Sequence, residues 1–154
     1  MLSACAVGVR RYGWVEEAEL EDAGIRTRRP RILLAEDDPE MRRLLSRSLR
    51  RDGYDILEAK DGSKLLEYLG FSVASAAAFE VDLVISDIRM PGFTGMEVLR
   101  ELRRCDWSTP VILITAFGDR RTHQEAGRLG AKILDKPFDV DDLRHLVRES
   151  IPGS

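Results

Sequence analysis

Five short apolar runs, each followed by a segment with helical spacing, constrain the fold of this chain more than any other feature. Most of them are apolar enough to form buried strands of a sheet, whereas the second alternates apolar and polar residues and is expected nearer an edge. They cover residues 31–35, 54–59, 81–86, 110–115 and 131–134. Strands that alternate with helices form a parallel sheet with helices on both faces and right-handed crossovers. The sequence therefore predicts an α/β fold of five strand–helix units.

The helical segments begin at residues that commonly cap helices. Four of them follow an acidic cap, at Asp38, Asp61, Asp119 and Asp139. The fourth helix has the weakest apolar stripe, so we expect it to bury little. Segment 70–80 is compatible either with an extension of the second helix or with a loop.

The chain divides into one folded region and two flanking segments. Residues 1–29 lack a sustained apolar period and are predicted to be a flexible or weakly docked N-terminal extension. Residues 30–151 carry the strand–helix alternation, and residues 152–154 form a tail. The total of 154 residues suits one compact domain with such an extension.

Charge and hydropathy exclude two classes of function. The 24 basic and 27 acidic residues give a net charge of -3, without the basic footprint that nucleic-acid binding requires. No apolar run approaches the roughly 18 residues of a membrane-spanning helix. We therefore expect a cytoplasmic protein without direct contacts to nucleic acid or membrane.

Polar side chains follow four of the five predicted strands. Glu36 and Asp37 come after the first strand, Asp87 after the third, Thr115 at the end of the fourth and Lys136 after the fifth. Ligands of open α/β sheets bind beyond the carboxyl ends of the strands. The sequence therefore predicts that these five side chains converge at one edge of the sheet.

The predicted cluster suits a cation and a phosphoryl group. Neighbouring carboxylates repel, and Mg²⁺, which prefers oxygen ligands, relieves that repulsion. Asp37 and Asp87 are candidate direct ligands, with Glu36 binding directly or through water. Thr115 and Lys136 offer the hydroxyl and ammonium groups that stabilise a transferring phosphoryl group. Asp87 is the best candidate nucleophile because it follows the most apolar, and hence most central, strand.

Four sequence blocks resemble those of bacterial two-component response-regulator receiver domains, and especially the receivers of enhancer-binding regulators. The blocks are ILLAEDDPEMRRLL, DLVISDIRMPGFTGMEVL, PVILITAFGD and GAKILDKPFD. The resemblance covers about residues 30–150, with the blocks in the family's order and spacing. It implies a flavodoxin-like three-layer sandwich, with a five-stranded parallel sheet in the order 2-1-3-4-5 and a receiver domain over residues 30–151.

The resemblance also implies a phosphorylation site and its metal ligands. Asp87 matches the phospho-acceptor of the family. Glu36, Asp37, Asp87 and the backbone carbonyl of Arg89 match the protein ligands of Mg²⁺. A haloacid-dehalogenase-type phosphatase, the main enzymatic alternative, uses a second Asp two residues after its nucleophile, where this chain has Arg89.

Further positions match family residues that respond to the phosphoryl group or determine its lifetime. Thr115 and Lys136 match the switch hydroxyl and the lysine that contact the phosphoryl group, and Pro137 matches a proline whose peptide bond is often cis. Ile133 replaces the usual aromatic residue, which argues against a large side-chain rotation. At positions that tune phosphoryl lifetime, we expect Arg89 and Phe117 to hinder water and slow hydrolysis.

The implied function is a phosphorylation-dependent signalling switch. A sensor histidine kinase or phosphotransfer protein donates a phosphoryl group to Asp87, and the face formed by the fourth helix, fifth strand and fifth helix then controls an unknown partner protein. Catalysis is limited to self-phosphorylation and self-dephosphorylation. Only three residues follow Ile151, so we expect a stand-alone receiver without an output domain. Whether phosphorylation produces a dimer is left open, and the alternative function is a degenerate receiver acting as a constitutive protein-interaction module.

Overall fold

Strands and helices alternate throughout the computed structural model, which describes residues 28–71, 79–116 and 118–152. The elements in these ranges are β1 (Arg31–Ala35), α1 (Pro39–Arg51), β2 (Asp55–Ala59), α2 (Gly62–Tyr68), β3 (Leu83–Asp87), α3 (Gly95–Arg104), β4 (Val111–Thr115), α4 (Arg120–Arg128), β5 (Lys132–Asp135) and α5 (Val140–Ser150). All five predicted strand–helix units are therefore present.

The five strands form one parallel sheet in the order β2-β1-β3-β4-β5. The central strand β3 is buried at every position, whereas β2 lies at an edge and is partly exposed. The predicted flavodoxin-like fold, its strand order and the central position of the strand that ends at Asp87 are confirmed.

Two apolar layers cover the two faces of the sheet. In β1, Leu33 and Ala35 contribute to the layer beneath α2, α3 and α4, and Ile32 and Leu34 contribute to the layer beneath α1 and α5. Alternate residues of a strand point to opposite faces, so one short strand supplies both cores. Fully burying a Leu or Ile side chain stabilises a fold by about 1.5–3 kcal/mol. The packing of these side chains therefore holds the five strands in place, and with them the edge of the sheet where the strands end.

The predicted caps lie at the beginnings of their helices. Asp38, Asp61 and Asp119 each accept a hydrogen bond from a backbone N–H in the first turn of α1, α2 and α4, at 2.8–3.0 Å. Asp139 precedes α5. Helix α3 begins with a cap that sequence reasoning did not identify. The side chain of Thr94 accepts a hydrogen bond from the backbone N–H of Glu97, and the side chain of Glu97 accepts one from the backbone N–H of Thr94.

Two segments left uncertain by the sequence are partly resolved. Helix α2 ends at Tyr68, and Gly70 follows with a φ of 84°, a left-handed conformation that stops the helix. The rest of the ambiguous segment, 72–78, and the extension up to residue 27 lie outside the described residues. Helix α4 buries only Ala126, as its weak apolar stripe predicted. None of the described helices is both long and apolar enough to cross a bilayer.

Candidate functional site

Three carboxylates meet where β1 and β3 end. Glu36 follows β1 directly, and its backbone N–H donates to the carbonyl of Ala59 at the end of β2 (3.1 Å). Asp87 is the last residue of β3. One oxygen each of Glu36, Asp37 and Asp87 lies within 4.8 Å of the others. The side chains of Glu36 and Asp87 are 2% and 8% exposed, whereas Asp37 is open to solvent.

Lys136 brings a positive charge to the same cluster. Its backbone N–H donates to the Thr115 carbonyl (2.7 Å), which ties the end of β5 to the end of β4. The Lys136–Pro137 peptide bond is cis. The Nζ atom donates to Asp87 Oδ2 at 2.8 Å and lies 3.7 Å from Glu36 Oε2. The ammonium group therefore contacts both buried carboxylates.

Thr115 lies on the strand beside Asp87. The register of β3 and β4 pairs Asp87 with Ile114, so Thr115 lies one residue beyond that pair. The Thr115 side chain is buried. The loop after β4 packs so closely on Thr115 that a Cβ added to Gly118 would lie 2.7 Å from its methyl group. Ile133 of β5 is half-buried and packs against the apolar layer beneath α4.

Of the two predicted tuning positions, Arg89 contacts Asp87 through its main chain. The backbone N–H of Arg89 donates to Asp87 Oδ1 (3.2 Å), so the main chain of the β3–α3 loop contacts the carboxylate directly, and the side chain of Arg89 is exposed. Phe117 lies outside the described residues.

Burial and crowding perturb the acid–base behaviour of the cluster. Desolvation and the nearby charge of Asp87 raise the pKa of Glu36 to about 7, although a backbone N–H and Lys136 partly offset this. Burial disfavours the charged form of Lys136, yet its hydrogen bond to Asp87 and the two acidic neighbours raise its pKa above the usual value. The site therefore holds more negative charge than its own cation neutralises.

A divalent cation fits the donor set. Glu36 Oε2 is fully buried and accepts no hydrogen bond from the described part of the chain. Such an unsatisfied buried acceptor destabilises a fold by about 1–3 kcal/mol. Carboxylate oxygens are the ligands that Mg²⁺ prefers. Glu36, Asp37 and Asp87 would hold the ion, with the exposed Asp37 on the solvent side.

Two residues that support the site escaped the sequence analysis. Arg42 of α1 donates from its guanidinium to the backbone carbonyl of Glu36 (2.8 Å) and so fixes the β1–α1 loop. Gly95 begins α3 against the end of β3, where an added Cβ would lie 2.7 Å from the Asp87 carbonyl. Neither residue follows a strand end, and a lone Arg or Gly gives no signal in a single sequence.

The doubly wound sheet and the acidic cluster at its carboxyl edge define a receiver-type α/β protein. The chain belongs to the family of response regulator receiver domains, whose family model matches residues 32–148. Receiver domains are phosphorylation-dependent signalling domains of two-component systems rather than enzymes in the usual sense. They bind Mg²⁺ at an acidic pocket and interact with histidine kinases or phosphotransfer proteins.

Similar proteins differ in how much of their length this chain covers. Sporulation initiation phosphotransferase F of Bacillus subtilis is 32% identical over 123 residues, which are 79% of this chain and 94% of that protein. Regulatory protein AtoC of Escherichia coli is 36% identical over 122 residues, and the chain spans only 25% of its length. The structure of response regulator TrrA from Thermotoga maritima, in complex with Mg(2+)-BeF, has 32% identity and a TM-score of 0.67, covering 79% of this chain and 99% of that one.

Proposed function

We propose that Asp87 accepts a phosphoryl group from a histidine kinase or phosphotransfer protein in a Mg²⁺-dependent reaction, and that the chain works as a switch. The observation that carries this proposal is the position of the Asp87 carboxylate. It lies at the end of the central strand, beside Glu36 and Asp37 and within 2.8 Å of Lys136 Nζ. Three clustered carboxylates and an ammonium group at one edge of the sheet thus support a nucleophile beside a metal site.

In the proposed transfer, an oxygen of Asp87 attacks the phosphorus atom of a phosphohistidine. The new P–O bond forms as the P–N bond breaks, and the electron pair remains on the imidazole nitrogen. Lys136 and the Arg89 N–H orient the carboxylate, since they bind Oδ2 and Oδ1. Mg²⁺ held by Glu36, Asp37, Asp87 and the Arg89 carbonyl would supply positive charge to the phosphoryl oxygens.

The proposed switch starts from the two side chains that respond to the new charge. A phosphoryl group adds about −1.5 to −2 charges at neutral pH, judged from phosphorylated hydroxyls. Lys136 and Thr115 contact it, and the backbone bond between them links the ends of β4 and β5. Helix α4 buries only Ala126, so it can shift with little loss of packing. The α4–β5–α5 face then meets an unidentified partner protein differently, with Ile133 making only a small adjustment.

Two contacts support the proposed domain limits of 30–151. The carbonyl of Pro30 accepts a hydrogen bond from the backbone N–H of Asp55, and this bond extends the pairing of β1 with β2. Ile151 is 1% exposed and packs in the layer beneath α1 and α5. Residues 1–29 and 152–154 remain flanking segments in this proposal.

The nucleophile is tested by labelling with acetyl phosphate in the presence of Mg²⁺. We expect the wild type to gain one phosphoryl group by intact-protein mass spectrometry, and Asp87→Asn to gain none while keeping its circular-dichroism spectrum. We expect phosphorylation to change the circular-dichroism spectrum of the wild type, and Lys136→Ala should still be labelled but should not show this change. Labelling of Asp87→Asn at the wild-type level would show that another residue is the acceptor. A folded wild type that is never labelled would favour the constitutive interaction module.

The phosphoryl lifetime tests the proposed tuning residues. We propose that Arg89 and Phe117 hinder water, so the labelled protein should lose its phosphoryl group slowly in Mg²⁺. Arg89→Ala should shorten the half-life, and a wild-type half-life of seconds would contradict the proposal.

A further inference from the structure

Helix α1 presents a row of four arginines, which we call the arginine strip. Its members are Arg43, Arg47, Arg50 and Arg51, all exposed. Spacings of three and four residues place them on one face of the helix, where like charges repel. Arg50 and Arg51 lie in the last turn and benefit from the helix dipole, but Arg43 and Arg47 do not. The strip therefore needs negative charge from elsewhere.

The described residues supply little of that charge. Arg50 pairs with Glu58 at 3.4 Å, and Glu58 is shared with Arg42 at 3.9 Å. Within 28–71, 79–116 and 118–152, no hydrogen bond or ion pair involves the guanidinium of Arg43, Arg47 or Arg51. Three arginines of the strip thus lack a counter-charge in this part of the molecule.

The shape of the surface suits a short peptide. The four arginines and Glu58 line a shallow groove of about 390 Å³ on the outside of α1. From Arg43 to Arg51 the helix rises about 12 Å, because each residue adds about 1.5 Å. A segment of roughly four extended residues spans that distance at about 3.3 Å per residue.

The chain carries a segment of opposite charge within reach. Five carboxylates fall within residues 16–22, and no Lys or Arg occurs from residue 12 to residue 25. Arg28, Arg29 and Arg50 line one groove, so the described chain begins beside the end of the strip. Asp22 lies six residues before Arg28, and an extended linker of that length spans about 20 Å.

We propose that the acidic segment 16–22 binds along the arginine strip of the same molecule through carboxylate–guanidinium pairs. Single exposed pairs are weak, so binding depends on several of them acting together and on the tether, which keeps the segment at a high local concentration. Salt screens such contacts. The segment covers the outer face of α1, and any other acidic partner of this face must displace it. This binding does not require phosphorylation of Asp87.

Zero-length cross-linking of the full chain tests the contact. Arg47→Lys keeps the charge and introduces an amine that a carbodiimide can join to a carboxylate. The matched control is Arg120→Lys on α4, exposed and on the opposite face of the sheet. At low salt we expect peptides containing position 47 to be joined to residues 16–22, with no such product from the control. The product should be lost at 1 M salt, where the screening length is about 3 Å.

Three results would overturn the proposal. The first is an absence of the position 47 product at low salt, and the second is an equal yield from the control. The third is a product that forms only between copies, detected by mixing isotopically light and heavy protein.

An independent measurement uses the guanidinium NMR signals of Arg43, Arg47 and Arg51. Replacing the five acids of the segment with Gln and Asn should shift these signals at low salt and leave that of Arg120 unchanged. Unchanged strip signals would also contradict the proposal. Because both experiments use unphosphorylated protein, they can fail without affecting the role proposed for Asp87.

Discussion

The carboxyl group of Glu36 lies in an environment that disfavours its ionised form. Burial and Asp87 raise its pKa from 4.5 to about 7 in the metal-free fold. The unfolded chain therefore loses this proton at lower pH than the folded chain does. As pH rises from about 4.5 to 7, the free energy of unfolding falls because the folded chain must lose a proton that it binds more tightly than the unfolded chain does. Above pH 7 this loss of stability, the Glu36 deficit, is complete.

Glu36→Gln removes this deficit because the amide cannot ionise. In EDTA at pH 8 we expect the variant to be more stable than the wild type by about 1–3 kcal/mol, the order of magnitude implied by a shift of this size. At pH 4.5 the difference should nearly vanish. Urea unfolding followed by circular dichroism measures both values. Excess Mg²⁺ should reverse the order at pH 8, because the variant lacks one of the proposed ligands of the ion. A variant that is less stable than the wild type in EDTA at pH 8 would contradict the destabilising effect of the ionised Glu36.

His123 is an exposed residue of α4 whose ring lies between the start of that helix and the end of β5. Its Nδ1 lies 2.9 Å from the Asp119 carbonyl before α4, and its Nε2 lies 3.1 Å from Asp135 Oδ2 at the end of β5. The bond to the Asp119 backbone and the Asp135 carboxylate raise the pKa of His123 above 6.5. The link is fully formed below pH 6.5 and is lost as pH rises through the raised value.

Asp135→Asn should lower the pKa of His123, because a neutral amide replaces the carboxylate that favours imidazolium. The magnitude will be modest, since His123 is 40% exposed and solvent screens the pair. A pH titration of the His123 ring signals by NMR measures the change. An identical titration curve in the variant would show that the pair does not form in solution.

Gly95 controls how closely α3 approaches the site. A Cβ at this position would lie 2.7 Å from the Asp87 carbonyl and 3.0 Å from Ser86 Oγ. Gly95→Ala should therefore displace the first turn of α3 or the end of β3 and destabilise the fold by about 1–3 kcal/mol, as overpacking does. Labelling of Asp87 by acetyl phosphate should slow as well.

Gly127 provides a matched control for this prediction. It also lies in a helix, α4, but an added Cβ there would meet nothing within 4 Å. Gly127→Ala should stabilise the protein by about 0.4–1 kcal/mol through helix propensity and chain entropy, without affecting labelling. Equal effects of the two substitutions in urea unfolding would rule out the packing argument for Gly95.

At the scale of the whole molecule, the sequence predicts the fold well because its signals agree. Buried strands, capped helices and strand-end polar residues all indicate the same doubly wound sheet, and Glu36, Asp37 and Asp87 lie together as their strand ends imply. The contacts of Arg42 and Gly95 were missed because they depend on how α1 and α3 pack on the sheet. The exit from α2 at Gly70 was left open, since a glycine there is compatible with either outcome.

Because the carboxylates come from separate strands, a bound cation should stabilise the entire fold. A ligand that binds only the folded state stabilises it by about 2.7 kcal/mol at 100 times its dissociation constant. We expect the melting temperature to rise with Mg²⁺ concentration in the wild type and to rise much less in Asp87→Asn. Glu80→Gln is the control, because Glu80 is an exposed acid that precedes β3, at the other end of the sheet, and its response should match that of the wild type. Differential scanning calorimetry across a Mg²⁺ series measures all three proteins, and equal shifts for Asp87→Asn and wild type would mean that the ion binds elsewhere.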